Sequence, residues 1–440
     1  MAIVKPLRAL RYDPAKVSMD RVLAPPYDII SKDHEAELQG RDPHNAIRLE
    51  LGQPNKANIE NEARYRQAKK YLDEWVHQKV LVTEKKPGFY LHEMSYQHPF
   101  QAKTLSRLAL FGLLKLEPFE RKIVFGHEKI HASPKIDRDK LLRSTETNFS
   151  PVFTVYEDTA AVIDKIKTAC ESRPPLFDFK EDSAAPSGPI GPEGRRRHKV
   201  WFVSEEDHIN RITEIFDRKR IFIADGHHRY STALQYAEER NVKEGTAKDH
   251  PWDYVLSAFV RFTDPGLLVL PIHRVVYDAV PIEREAFLEG LRKYFILHSV
   301  SRSVLEKISE GSITEGFGLT FSENECYLLE LKDKTTSRQA MPSGKPPLWY
   351  ELDMNLVSFL ILGPILKIDE PKLEWNIFYT PSLDEVFGKI KSKEALCAFV
   401  IRPVNCQAIK EICESGELMP QKSTYFYPKF PSGLLMYRHA

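Results

Sequence analysis

The chain has few cysteines, almost no net charge and no long apolar run. Its 440 residues include five cysteines without a CxxC pair, so neither a disulfide framework nor a zinc knuckle is indicated. Lysine and arginine number 63 against 62 for aspartate and glutamate, which leaves no surplus positive charge to attract a nucleic acid. Nucleic acid is therefore disfavoured as a partner.

Segments that would direct the chain into a membrane are also missing. The N-terminus reads MAIVKPLRALRYDP and has no apolar run of a signal peptide, and no stretch reaches the roughly 18 residues of a membrane span. We therefore expect a cytoplasmic protein with no membrane partner. Hydrophobic residues make up 42% of the chain, as in ordinary globular proteins, and its length predicts two or three domains.

The pattern of helices, strands and breakers predicts the organisation of the chain. Residues 1–180 are predicted to form a β-rich N-terminal α+β domain with one long amphipathic helix. Residues 181–199 are rich in Pro, Gly and Ser, which is typical of an exposed loop or linker. Strand and helix patterns alternate over 200–281, as in an α/β unit, and 282–440 reads as a mixed α+β region with a polar tail. The fold class is therefore α/β, or more broadly α+β.

The most unusual local run is IFIADGHHRYSTALQYAEER, which begins at Ile221. A short buried strand precedes Asp225, and the residues from Tyr230 onward have helical composition, so Asp225–Arg229 is predicted to connect a strand to a helix. Such a connection exposes backbone N–H groups and the positive end of the helix dipole, which favour an anion such as phosphate. Gly226 would let the backbone approach the ligand. The cationic side chains that would contact it are His227, His228 and Arg229.

Simpler explanations exist for the same run. Asp-Gly is a common turn, and an aspartate can cap a helix without any ligand. Zinc is not indicated, because adjacent histidines point in different directions and no third ligand follows at a recognisable spacing. The sequence leaves the identity of any metal open.

Phosphoryl transfer also needs a carboxylate that orients the acceptor hydroxyl, and usually Mg²⁺. Four candidates carry such a carboxylate: Asp28, Glu50, Glu128 and Asp225. Asp28 follows a rigid Pro-Pro turn, although a turn-forming aspartate is an equally good interpretation. Glu50 stands between two leucines, and alternation predicts a strand on which its side chain faces away from them, either into a site or into solvent.

The tail MPQKSTYFYPK is a second candidate for ligand contact. Lys422, Ser423 and Thr424 resemble the end of a P-loop, but the glycines of such a loop are missing. The lysines at 422 and 429 could still reach an anion. The aromatic run Tyr425–Tyr427 either stacks on a base or anchors the tail, and the polar composition of the tail is also compatible with a lid over a site.

Several blocks of the sequence resemble one family from end to end. These blocks are APPYDII, NAIRLELG, GHEKI, NFSPVF, ADGHHRYSTAL, DPGLLVLPIHRVV and MPQKSTYFYPKFPSGLL. They look like the prokaryotic domain-of-unknown-function family 1015 (DUF1015), which is mostly described without an activity. The strand-DGHHR-helix pattern is also similar, more distantly, to the phosphate-binding turn of the ParB and sulfiredoxin-like superfamily, some members of which are free-serine kinases. This likeness implies a ParB/sulfiredoxin-like central unit.

Carried over residue by residue, the distant resemblance puts Gly226, His228 and Arg229 on nucleotide phosphates. It also puts Asp225 or His227 close to the transferred group. With the other candidates, the predicted catalytic residues are Asp225, His227, Glu50 and Asp28. The predicted nucleotide-binding residues are Gly226, His228, Arg229, Lys422, Ser423 and Thr424.

The leading hypothesis is a small-molecule kinase that uses ATP or ADP with Mg²⁺, and that transfers a phosphoryl group to a small hydroxyl metabolite such as serine, or hydrolyses it. Two alternatives stay open: a ligand-sensing or nucleic-acid-associated protein without catalysis, and a metal-dependent hydrolase. No pattern points to NAD or to an oligomeric state.

Overall fold

The computed structural model describes residues 1–52, 62–128, 132–181, 196–245, 249–280, 282–369 and 373–439. Twelve strands precede residue 262: β1 (Val4–Lys5), β2 (Leu10–Tyr12), β3 (Leu81–Thr83), β4 (Phe89–Gln97), β5 (Thr104–Lys115), β6 (Val124–Phe125), β7 (Thr147–Asn148), β8 (Val152–Tyr156), β9 (Phe177–Lys180), β10 (Arg197–Val203), β11 (Ile221–Asp225) and β12 (Tyr254–Arg261). The later strands are β13 (Leu268–Leu270), β14 (His273–Val276), β15 (Phe295–Val300), β16 (Phe317–Ser322), β17 (Glu325–Leu331), β18 (Ile377–Thr380), β19 (Cys397–Val400), β20 (Tyr425–Tyr427) and β21 (Tyr437–Arg438).

Helices are distributed along the whole chain. They are α1 (Met19–Val22), α2 (Lys32–Arg41), α3 (Ile47–Glu50), α4 (Ala63–His77), α5 (Ala132–Thr145), α6 (Val162–Cys170), α7 (Glu206–Phe216), α8 (His227–Glu244), α9 (Arg284–Arg292), α10 (Arg302–Ser309), α11 (Lys334–Gln339), α12 (Asp353–Leu356), α13 (Leu373–Asn376), α14 (Leu383–Lys391) and α15 (Cys406–Glu414). A short 3₁₀ helix covers Tyr27–Ile29. Among the residues described, no helix combines the length and apolar character that crossing a membrane requires.

The first half of the chain is organised around one mixed sheet of nine strands. Its order is β6-β11-β8-β12-β5-β4-β10-β9, with β1 paired to β5. β4 and β5 form an antiparallel hairpin. β11 lies parallel to β6 and antiparallel to β8, so β11 is covered on both edges and its residues Ile221, Phe222 and Ile223 are buried.

A second sheet lies in the later part of the chain. Its order is β15-β17-β16-β19-β14-β18, and every pair in it is antiparallel. Together with the helices, the two sheets confirm the predicted α+β class. The first sheet takes strands from both sides of the predicted linker 181–199, since β9 and β10 pair with each other. That linker therefore does not divide this sheet, and the division into domains stays a prediction.

The tail packs against the first sheet, where Phe426 and Phe430 contact Phe153 of β8, and it is largely buried. β20 pairs with β13, and further backbone pairs join Ser432 to Ala24 and Met436 to Leu10. The three aromatic residues of β20 are each less than 10% exposed, which agrees with an anchoring role. Of the predicted linker, residues 182–195 lie outside the described part of the chain, whereas Arg197 is already in β10.

Candidate active site

The predicted strand, turn and helix around residue 225 are present. β11 ends at Asp225, Gly226 precedes the helix with a φ of 91°, and α8 runs for 18 residues from His227. No side chain caps this helix end. One detail of the prediction is wrong: the residues from His227 to Arg229 form the first turn of α8 instead of a connecting loop. The helix dipole and its first N–H groups are therefore directed at the space beyond Asp225.

Lys429 from the tail joins two of the predicted carboxylates. Its Nζ lies 2.7 Å from Oδ1 of Asp225, and it also forms an ion pair with Oδ2 of Asp28. The lysine side chain is only 9% exposed, against 27% for Asp28. Burial would lower the pKa of Lys429, but the two carboxylates outweigh it and raise that pKa. The ammonium therefore stays charged and holds the two aspartates at one point.

The same cluster keeps Asp28 ionised. Loss of water around Asp28 would raise its pKa, but Lys429 and Lys422 outweigh this effect and lower it. Lys422 is exposed, and no ion pair within 4 Å is found for it among the described residues. A cationic group is thus available beside Asp28 for an anionic ligand.

Arg229 does not have the position that the sequence analysis gave it. Its guanidinium donates to Asp225 Oδ2 at 2.7 Å, to Ser150 Oγ at 2.9 Å and to the carbonyl of Pro151. It packs over Gly226, and both of its Nη groups donate to acceptors of the chain. Its visible role is to hold the Asp225 carboxylate, so a direct contact with phosphate is not what this geometry offers.

The two histidines of the DGHHR run have different surroundings. His227 is buried, and its Nε2 accepts a hydrogen bond from the backbone N–H of His127 at 3.2 Å. Burial and the nearby His127 lower the pKa of His227 to about 3, so its ring is neutral. His228 is half-buried on the next position of the helix and is not part of the cavity wall described below.

Glu128, directly after His127, holds the tail loop. Its Oε1 accepts from the backbone N–H of Ser423 at 2.9 Å and of Thr424 at 3.3 Å. Burial would raise the pKa of Glu128, but its neighbours His127, His227 and Lys422 outweigh this effect and lower it to about 2. The hydroxyl of Ser423 donates to the carbonyl of Pro420 and is buried. The predicted contact of Ser423 with a ligand is therefore not supported by its position.

These elements surround a cavity of about 500 Å³. Five predicted residues line it: Asp28, Asp225, His227, Lys422 and Thr424. Glu128 and Lys429, which the sequence analysis had named as further possibilities, line it too. The remaining predicted residues do not form its wall: Glu50, Gly226, His228, Arg229 and Ser423.

Glu50 lies elsewhere, and its predicted strand is wrong. It ends the short helix α3 and is 5% exposed. Its carboxylate accepts from Arg138 at 2.6 Å and from the hydroxyl of Ser432 at 2.8 Å. A small separate pocket of about 40 Å³ adjoins it. The pattern Leu-Glu-Leu suits a helical turn as well as a strand, and the partners that keep the carboxylate inside are remote in sequence.

The sequence analysis missed the apolar wall of the cavity. Ile272 lies just before β14, Phe378 and Tyr379 lie in β18 of the second sheet, and Glu385 lies in α14. No local signal marked these residues, because only the packing of the second sheet against the tail brings them to the cavity.

The described residues contain no group of three or more His, Cys, Asp or Glu side chains that could hold a metal ion. The metal-dependent hydrolase considered above thus gains no support from side-chain placement. The carboxylates of the cavity are instead held by Lys429 and by backbone N–H groups.

Comparison with known proteins places the chain in a family. A family model described as a protein of unknown function (DUF1015) matches residues 4–355. The chain belongs to the DUF1015 family. No curated protein matches it.

Solved structures give likenesses that are weak in both sequence and shape. A conserved hypothetical protein from Pyrococcus furiosus is 13% identical at a TM-score of 0.34, covering 74% of this chain and 93% of that protein. A free serine kinase in complex with AMP is 12% identical at a TM-score of 0.35. The match covers 72% of this chain and 86% of that protein. SbnI with a C-terminal truncation, from Staphylococcus aureus, is 9% identical at a TM-score of 0.35. The match covers 72% of this chain and 85% of that protein. Likenesses at these TM-scores carry no argument about activity.

Proposed function

We propose that the chain binds a nucleoside triphosphate in this cavity and transfers a phosphoryl group to a small hydroxyl metabolite. The observation that carries the proposal is the ion-paired group of Asp28, Lys429 and Asp225 at the N-terminus of α8, beside Lys422. Serine is the first acceptor to test, because the DGHHR run resembles a turn found in free-serine kinases.

The phosphate end of the ligand would lie between Lys422 and the first turn of α8. Lys422 lines the cavity and lowers the pKa values of both Asp28 and Glu128, so its charge acts on this space. The N-terminus of an 18-residue helix adds partial positive charge and backbone donors. Both features favour a phosphate over a neutral group.

Asp28 would orient the acceptor hydroxyl. Its lowered pKa keeps it an anion, and an ionised carboxylate accepts a hydrogen bond from a hydroxyl. In phosphoryl transfer, positioning and charge stabilisation do most of the catalytic work, so a carboxylate of low basicity is adequate for this role. Asp225 and Lys429 would hold Asp28 in place.

The base of a nucleotide would find an apolar part of the cavity wall. Ile272, Phe378 and Tyr379 line the cavity there, and its volume of about 500 Å³ suits a small ligand. Aromatic side chains at such a position favour stacking with a planar base.

The charges of the wall suggest a cation in the complex. Asp28, Glu128, Asp225 and Glu385 oppose only Lys422 and Lys429, which is four negative against two positive groups. Mg²⁺ commonly binds through one or two carboxylates together with substrate phosphates, and Asp28 would be one of its ligands. Once bound, it would supply neutralisation of the phosphate charge.

Isothermal calorimetry with ATP, ADP, CTP and pyrophosphate, each with Mg²⁺, tests the binding step. Lys422→Met is expected to weaken binding by roughly 10-fold to 100-fold, the usual loss for one charged hydrogen bond. Lys165→Met removes an exposed lysine on α6 and should leave binding unchanged. If none of the four compounds binds, or if both variants bind like the parent protein, the proposal is wrong. Formation of nucleoside diphosphate with and without serine then separates transfer from hydrolysis.

A further inference from the structure

A threonine hydroxyl in the cavity wall is hydrogen-bonded to a histidine ring. Thr424 Oγ1 lies 2.8 Å from Nε2 of His127, and Thr424 lines the cavity. His127 is buried and lies two residues after the end of the short strand β6. The pairing therefore depends on the way the tail packs onto the first sheet.

The direction of this hydrogen bond follows from the opposite side of the ring. His127 Nδ1 lies 2.8 Å from the carbonyl oxygen of Ile223. A carbonyl oxygen only accepts, so Nδ1 carries a proton, and in the neutral ring Nε2 is left as an acceptor. Thr424 then donates its hydroxyl proton to Nε2, which is the arrangement of a side-chain nucleophile next to a positioned base.

One charged neighbour favours proton transfer along this bond, and a second can hold the phosphate. Glu128 Oε1 lies 3.6 Å from His127 Nε2, so an anion is adjacent to the imidazolium that would form. The same oxygen accepts from the backbone N–H of Thr424, which fixes the loop against the ring. Lys422, two residues before Thr424, also lines the cavity and can hold phosphate oxygens near the hydroxyl.

We infer that Thr424 is a self-phosphorylation site inside the cavity, with His127 as its base. The inference rests on the proposed function, because a nucleoside triphosphate must bind first. Thr424 Oγ1 forms a bond to the terminal phosphorus, while the bond from that phosphorus to the bridging oxygen breaks and nucleoside diphosphate leaves. The hydroxyl proton passes to His127 Nε2.

The experiment incubates the full chain with Mg²⁺ and ATP labelled on its terminal phosphate, and maps the label by tandem mass spectrometry. We expect a single phosphate per chain, on Thr424. Thr424→Ser should carry the label as phosphoserine, and Thr424→Val should lose it. His127→Gln should slow labelling by roughly 10²-fold to 10⁴-fold, as for loss of a general base.

Thr154→Val is the matched control. Thr154 is also buried, and its hydroxyl donates to the carbonyl of Ala258 at 3.1 Å, away from the cavity wall. This variant should be labelled like the parent protein. If Thr424→Val does not fold, the mapped position in the parent protein and in Thr424→Ser decides the question.

Two negative outcomes are distinguishable. If ATP binds or is consumed but the label is absent or lies on another residue, the inference is overturned while the proposed function stands. If calorimetry finds no binding of ATP, the proposed function fails and the inference fails with it.

Discussion

Lys429 Nζ lies 2.7 Å from Oδ1 of Asp225, where the tail of the chain crosses the N-terminus of α8. The same ammonium contacts Asp28, so one lysine neutralises two carboxylates from remote parts of the sequence. Arg229 holds the other oxygen of Asp225 at 2.7 Å. The contacts form a chain of alternating charges, in which each aspartate is fixed by a cation.

Lys429→Met should destabilise the protein, because it leaves two carboxylates together without their shared counterion. We expect a loss of roughly 2–4 kcal/mol in the free energy of unfolding, near the lower part of the range for broken buried pairs, since both carboxylates keep some water. Urea unfolding measures this loss in the free energy of unfolding. Lys410→Met breaks the more exposed pair with Glu157, at 2.8 Å, and should cost at most about 1 kcal/mol. Equal losses in the two variants would contradict the shared-counterion interpretation.

Gly226→Ala should be costly for two separable reasons. Gly226 has a φ of 91°, and a Cβ there would lie 2.9 Å from Nη2 of Arg229. The backbone strain alone is about 1–2 kcal/mol, and displacement of the guanidinium from Asp225 adds to it.

Two other glycines serve as controls for Gly226→Ala in thermal or urea unfolding. Gly416 has a φ of 80° with no atom near the added Cβ, so Gly416→Ala reports the strain alone. Gly388 lies exposed in α14 with open space around it, and Gly388→Ala should stabilise by up to about 1 kcal/mol through helix propensity. A Gly226→Ala variant no worse than Gly416→Ala would show that the contact with Arg229 does not matter.

Whether the sequence predicts a feature of this site depends on how far apart in the sequence the contacting residues lie. The turn at Asp225 and Gly226 was predictable, because a buried strand, a breaker and a helical pattern are adjacent in the sequence. The position of Arg229 was not, because its guanidinium turns back to Ser150 and Pro151, which no local pattern relates to it.

Sequence separation also explains why the contacts of Glu50 and Thr424 were not predicted. A three-residue alternation around Glu50 fits a strand or a short helix, and the contacts with Arg138 and Ser432 show why the carboxylate is buried. Thr424 was found through its likeness to the end of a P-loop, yet its hydrogen bond to His127 arises from tail packing. Sequence patterns therefore predicted the fold class, and five of the ten predicted site residues line the cavity, while the partners of those residues required tertiary structure.

The lowered pKa of Glu128 predicts that the protein loses stability in acid. Its pKa is lowered to about 2 from 4.5, so the unfolded chain binds more protons than the folded chain between those values. The stabilisation from Glu128 is complete above about pH 4.5 and is lost as the pH falls toward about 2. Urea unfolding at several pH values should therefore show a smaller acid-induced loss in Glu128→Gln than in the parent protein. Glu310→Gln, at an exposed position, should follow the parent curve.

His227 should affect the stability of the protein at higher pH than Glu128 does. Its pKa is lowered to about 3 from 6.5, so its contribution is complete above about pH 6.5 and is lost progressively as the pH falls toward about 3. A His227→Asn variant should lack the part of the decline between about pH 6.5 and about pH 4.5. An unchanged slope in that interval would mean that the ring of His227 accepts a proton in the folded state without cost.

Asp28→Asn tests the assignment of the acceptor-orienting carboxylate. The amide keeps the shape of the side chain but loses the charge that orients the acceptor hydroxyl and pairs with Lys429. Under the proposed function, we expect kcat for phosphoryl transfer to fall by roughly 10²-fold to 10⁴-fold, with a much smaller change in the Kd for nucleotide. Asp217→Asn, at an exposed position after α7, should change neither quantity. A variant that loses nucleotide affinity but keeps its kcat would instead assign Asp28 to ligand binding, and the orienting role would have to pass to Glu128 or Asp225, the other carboxylates in the cavity wall.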